Sequence, residues 1–191
     1  MSNKLNRKDL LLLLLFSPGS SGEEAEPIDG RTRLMKLLFL LQFQVDFPVD
    51  KILESKSKYE FQPYHYGPFT KDVYNDLEFL ENVGLIEFYT KGIAGEADQN
   101  EEEKLVEDIV IGEDKEDINL EFKEEGYRLT PAGSTFVTEK LIPTAPEDLL
   151  RVIRELKGKF ASLPLVSLLR YVYSKYPDYA QKSMLTYLIS S

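Results

Sequence analysis

Apolar positions along the chain fall into runs of two kinds. Leu10 to Phe16 is continuously apolar behind Lys4, Arg7 and Lys8, and Ser17-Pro18-Gly19 follows it. That pattern predicts a first helix, Lys4 to Phe16, buried all round and stopped at the Ser-Pro-Gly step. The next stretch, Ser17 to Pro27, reads SPGSSGEEAEP and has almost nothing to bury, so residues 17–28 are expected to be a mobile connector. Asp29 then offers an N-cap for GRTRLMKLLFLLQF, where Leu34, Leu37, Leu38 and Leu41 recur at helical spacing with Phe39 and Leu40 between them. This should be a central helix buried on more than one side.

Helical spacing returns after the turn Tyr66-Gly67-Pro68. Phe69, Val73, Leu77, Leu80 and Val83 mark a helix that Gly84 closes. A strand, Leu85 to Tyr89, follows at once. A return strand covers Tyr127 to Leu129, and Thr130-Pro131 opens a helix over Ala132 to Lys140. Two more helices are expected, Pro146 to Phe160 with acids in its first turn and Leu163 to Lys175 before Tyr176-Pro177.

A helix, a strand, a protruding loop and a return strand make a wing. The expected fold is mainly α with a small antiparallel β-wing, α+β in class, a winged-helix-like core with additional N- and C-terminal helices. Residues 1–145 would form that domain, with the connector at 17–28 and the wing at 91–125, and residues 146–191 a helical extension packed on it. A chain of 191 residues with 42% hydrophobic content can bury such a core.

Charge changes the picture. From Glu96 to Glu125 there are 14 acids against Lys104, Lys115 and Lys123, a net of −11, while the whole chain carries −10. The acidity is therefore one local device. In a winged helix the helix before the wing usually enters the major groove and the wing touches phosphate. Here that helix holds Lys71 against Asp72, Asp76, Glu78 and Glu81, a net of −3. Phosphate contact needs cations, so both usual DNA contacts are disfavoured. Basic residues lie elsewhere: Arg31, Arg33 and Lys36, then Lys51, Lys56 and Lys58, then Arg151, Arg154, Lys157 and Lys159. They are expected to be solvated helix faces. The alternative function, a DNA-binding transcriptional regulator, would use Arg31, Arg33, Lys36, Arg151 and Arg154.

Candidate chemistry is sparse. There is no Cys, and His65 is the single histidine, set among Tyr64, Tyr66 and Phe69 where a half-buried ring at a turn is expected. No phosphate loop, nucleophile elbow or histidine metal pattern occurs, and the wing carboxylates lack EF-hand spacing. No catalytic residue, metal or cofactor is expected. Leu10 to Phe16 is at the short limit of a signal-peptide core and far below a membrane span, so a cytoplasmic protein with no membrane partner is the expectation.

The phrases GRTRLMKLLFLLQ, FQPYHYGPFTKDVYNDLEFLENVGLIE and YRLTPAG together resemble the Panacea family of SocA-like antitoxin domains, close to its YwgA-like bacterial and archaeal members. The resemblance spans about Asp29 to Leu141, with Tyr-Gly-Pro-Phe at 66–69 as its most specific part. It implies a mostly helical domain with a small sheet, no catalysis, and in several members neutralisation of a co-encoded toxin or its delivery to a protease. The long acidic wing and the C-terminal helices depart from the compact family domain.

The expected function is thus a non-enzymatic protein-interaction module, an antitoxin or adaptor whose partner is a toxin or other basic protein. The expected surface is the aromatic turn Tyr64, His65, Tyr66 and Phe69 with wing acids Glu101, Glu102, Glu103, Asp114, Glu116 and Asp117. Acidic segments steer and dock basic surfaces, and rings supply the buried anchor that charge lacks.

Overall fold

In the computed structural model the residues described are 4–43, 49, 52–54, 57–92 and 123–186. The chain folds as a mixed α+β protein with small antiparallel sheets. Helix α1, Arg7–Phe16, starts three residues later than expected because Asn6 caps it. The Asn6 side chain accepts from the amides of Lys8 and Asp9, at 2.8 and 3.1 Å, and Asp9 accepts the Asn6 amide at 2.9 Å. This reciprocal box fixes the start, and Leu5 before it forms a parallel bridge to Leu53. Leu10 to Leu15 are all buried.

Strand β1, Ile28–Asp29, leads into helix α2, Arg31–Gln42. Asp29 is not the N-cap. Its backbone belongs to the sheet, where it pairs with Gly126, and its carboxylate accepts the Tyr89 hydroxyl. The turn into α2 falls to Gly30 at φ 84°, a left-handed conformation that glycine adopts without a side-chain penalty. Ile28 is buried, so the connector ends in a core strand rather than a tether.

Strands β2, Gln62–Tyr64, and β3, Gly67–Phe69, form a hairpin closed over His65 and Tyr66. Phe69 therefore ends a strand and does not begin the next helix. Pro63 faces Pro68 across the hairpin. Counting from the loop, theirs is the pair that exchanges no hydrogen bonds, so the missing N–H groups cost nothing there. Helix α3, Lys71–Asn82, begins at Thr70, whose hydroxyl accepts the Asp72 amide.

Strands β4, Ile86–Gly92, and β5, Lys123–Leu129, pair in register from Ile86–Leu129 to Gly92–Lys123, and β1 joins the other edge of β5. Both run further toward the wing than the expected 85–89 and 127–129. The outer residues Thr90-Lys91-Gly92 and Lys123-Glu124-Glu125 carry no apolar alternation, so their pairing was invisible to a hydrophobic pattern.

Thr130 then opens helix α4, Pro131–Phe136, accepting the Gly133 amide and donating to the Gly84 carbonyl. The helix continues as a π turn over Val137–Leu141. Helices α5, Glu147–Phe160, α6, Leu165–Lys175, and the short α7, Pro177–Ala180, complete the described chain. Helix α2 packs against both α5 and α6, and α1 packs against α5, β5 and the π turn. One buried cluster joins Leu34, Leu37, Leu38 and Phe39 of α2 with Ile153 and Leu156 of α5 and Leu168, Leu169 and Val172 of α6. Among the described residues no helix is long and apolar enough to cross a membrane.

Candidate functional site

The β2–β3 hairpin gathers rings at the surface. Tyr64 is 47% exposed, the others of the expected aromatic set half-buried. Its ring stacks on His65 at 4.2 Å and on Phe69 at 4.9 Å, and Phe69 meets Tyr74 edge-on at 5.5 Å. Tyr66, like Phe69 and Tyr74, packs against the hydrophobic core. The hairpin is fixed from behind. Gly67, at φ 83°, lies so close to Tyr173 that a Cβ there would come within 2.6 Å of the ring. The His65 carbonyl accepts the Met184 amide at 2.9 Å, and Ser183 donates to the Tyr173 hydroxyl at 2.7 Å. Tyr64 is thus an outward ring on a rigid mount, the kind of side chain that anchors an interface at low entropic cost.

The ring series continues inward through a cation. Arg31 lies 5.8 Å from the Tyr74 ring centroid and 5.4 Å from that of Phe88, and its Nε donates to the Tyr127 hydroxyl at 3.0 Å. Arg33 donates to the carbonyls of Asp29 and Leu163. Lys36, expected on a solvated face, is 2% exposed and donates to the Pro68 carbonyl at 2.9 Å. The physical reason is its place inside the apolar run Leu34 to Leu41: every face of that helix is covered, and a buried ammonium must find oxygen. Lys36 therefore buttresses the hairpin and cannot reach a phosphate. Arg151 is exposed and pairs with Asp148 and Glu155, which together raise its pKa, and Arg154 is exposed beside it.

Helix α3 does not present its formal charge. Asp76 is 2% exposed and binds Arg7 Nε at 2.7 Å, the Tyr59 hydroxyl at 3.1 Å and Lys8 Nζ at 3.4 Å, while Asp72 binds Arg7 at 3.0 Å. Burial and the Asp76 charge push the Tyr59 phenol well above its usual pKa. Burial alone would lower Arg7, but the hydrogen bond and charge of Asp76, with Asp72, raise it. Two of the four acids thus neutralise α1. Lys71, Glu78 and Glu81 remain on the exposed face, a net of −1 rather than −3.

Lys157 was also expected to be solvated and is 0% exposed. Its Nζ donates to the carbonyls of Leu15 at 2.9 Å, Ser17 at 2.6 Å and Glu26 at 2.6 Å, binding the end of α1 and the connector to α5. Burial pushes its pKa down to about 7, against a raising pull from Glu26. The connector is held further by the Glu26 carboxylate, which accepts from Ser20 and Ser21. The signal for Lys157 was present: it lies four residues after Ile153 and eight after Leu149, in register with the buried stripe.

The wing acids Glu101, Glu102, Glu103, Asp114, Glu116 and Asp117 lie outside the described residues. Strands β4 and β5 remain paired up to Gly92 and Lys123 on either side of them. Among the described residues no three His, Cys, Asp or Glu side chains gather as a metal site. No family model, no curated protein and no solved structure matches this chain.

Proposed function

We propose that the chain is a non-enzymatic protein-interaction module on a winged-helix-like frame, an antitoxin or adaptor of the Panacea kind acting in the cytoplasm on a basic partner protein. The frame is supported by the order α1, β1, α2, α3, β4, wing, β5 and by a sheet ordered β1-β5-β4, with the β2–β3 hairpin inserted between the second and third helices. The partner reading is carried by Tyr64, an exposed ring stacked between His65 and Phe69 on a hairpin fixed from behind. The inward use of Lys36, and the engagement of Arg31 and Arg33 by neighbouring oxygens, leave the regulator alternative with few cations for phosphate.

The test is affinity capture from native extract with the wild-type chain, Tyr64→Ala and a chain lacking residues 93–122. The wild type should retain a basic protein, Tyr64→Ala should lose most of it, and the wingless chain should bind more weakly. Equal capture by all three would sink the reading, as would retention on DNA with a steep salt dependence.

A further inference from the structure

Strand β4 is an edge. The sheet order β1-β5-β4 puts β5 on one side of it and, among the described residues, no strand on the other. One bond decides which of its backbone groups face outward: the Thr130 amide donates to the Leu85 carbonyl at 3.1 Å, across the pair just before the strand. Antiparallel ladders bond at every second residue, so Glu87, Tyr89 and Lys91 bond to β5. Ile86, Phe88, Thr90 and Gly92 turn their N–H and C=O groups to the open side. Three side chains of the strand lean away from that row. The Phe88 ring lies 5.4 Å from that of Tyr127, Tyr89 crosses Gly126 to reach Asp29, and Glu87 accepts Arg128 Nε at 2.6 Å. Seven consecutive pairs with no bulge and no proline leave the edge continuous.

Register and charge select what can pair there. A second copy of β4 laid antiparallel must match outward groups with outward groups. The register that pairs all seven residues does so: Ile86 faces Gly92 of the second copy, Phe88 faces Thr90, and Tyr89 meets its own counterpart on the two-fold axis. That same register sets Glu87 opposite Lys91 of the second copy, and Lys91 opposite Glu87. Within each copy Arg128 stands opposite Glu87 and Glu124 opposite Lys91. A row across the four strands therefore reads Arg128 and Glu87, then Lys91 and Glu124 of the second copy, alternating in sign throughout. Sliding by two residues either way keeps the backbone match and removes both Glu87–Lys91 pairs.

We propose that the chain forms a two-fold dimer through β4, joining two three-stranded sheets edge to edge. Antiparallel pairing sends the two acidic segments, with 12 acids and 2 lysines each between residues 93 and 122, from opposite ends of the paired strands. Their origins lie about 20 Å apart, beyond a Debye length of about 8 Å, so the charge of the segments does not oppose the pairing. The dimer stands independently of Tyr64 and of any foreign partner.

Sedimentation equilibrium at neutral pH and physiological salt should show the wild type dimerising. Glu87→Lys or Lys91→Glu alone should weaken the dimer about tenfold or more, because each sets two like-charge pairs in place of two opposite ones. Mixing these two variants should restore it, since each copy then supplies the charges the other lacks, and restoration shows that both are folded. Thr90→Pro removes an outward N–H that the single chain does not use in its sheet, and should abolish association with the circular dichroism unchanged. The chain lacking residues 93–122 should dimerise at least as tightly as the wild type. The proposal is overturned if the wild type stays monomeric up to about 1 mM, which would leave the edge to a foreign strand. It is overturned equally if the mixed variants associate no better than either alone, if Thr90→Pro associates like the wild type, or if the dimer requires residues 93–122.

Discussion

Lys157 makes the stability of this protein depend on pH in a direction opposite to that of a surface lysine pair. Its folded pKa is about 7 against an ordinary 10.5. Between those values the unfolded chain holds a proton that the folded chain has released, so stability through this group rises with pH. Below the folded value both states are protonated and the contribution is flat. The slope approaches about 1.4 kcal/mol per pH unit, which gives roughly 2 kcal/mol between about pH 7 and pH 9. Lys157→Met keeps most of the volume and removes the titration, and every other ionisable group is common to both chains. Urea unfolding of the two proteins, followed by circular dichroism at a series of pH values, should therefore give a difference that grows in favour of the wild type as pH rises. A difference that stays constant from about pH 6 to pH 9 would refute the depressed pKa. In that case the three carbonyl acceptors, which only an ammonium can satisfy together, would have outweighed desolvation.

Other perturbations follow from the same contacts. Asp76→Ala removes the shared acceptor of Arg7, Lys8 and Tyr59 and should cost about 3–5 kcal/mol in chemical denaturation, because it leaves a half-buried guanidinium beside a buried phenol. Tyr59→Phe removes only one donor from that acceptor and should cost about 1 kcal/mol in the same assay. Gly133→Ala would set a methyl group on the Leu85 carbonyl oxygen, which is backbone and cannot move aside, so a loss of at least about 1–3 kcal/mol is expected in thermal melts.

The helical part of the fold was legible in the sequence because apolar stripes at period 3.6 leave a strong trace. Helices α2, α3, α5 and α6 all fall within a few residues of the expected spans. What the pattern lost was decided by polar contacts. Asn6 moved the start of α1, and sheet pairing moved the cap of α2 from Asp29 to Gly30. The hairpin of QPYHYGPF has two prolines and no alternation, so nothing in its hydropathy announced two strands. Of the aromatic surface, the clustering of Tyr64, His65 and Phe69 was legible from their proximity in sequence. The rigid backing from Tyr173, Ser183 and Met184 was not, since it comes from a segment more than a hundred residues away.

Formal charge and surface charge part company most clearly on α3. Summed along the sequence, the helix repels a phosphate backbone. In the folded chain half of its acids are consumed by Arg7 and Lys8, and what it turns outward is nearly neutral with an apolar crest. The same substitution of context for count applies to the cations: Lys36 and Lys157 add two positive charges to the composition and none to the surface. Both are buried because a long stem fits among leucines while its ammonium caps carbonyls left over by a neighbouring element, Pro68 for one and the end of α1 for the other. Charges inside the hydrophobic stripe of a helix should therefore be subtracted before any surface potential is inferred from sequence. By that correction the helical faces of this protein lie closer to neutral, and the electrostatic contrast with the wing segment, 12 acids and 2 lysines between residues 93 and 122, is slightly smaller than the uncorrected sum suggested and comes almost wholly from the wing itself.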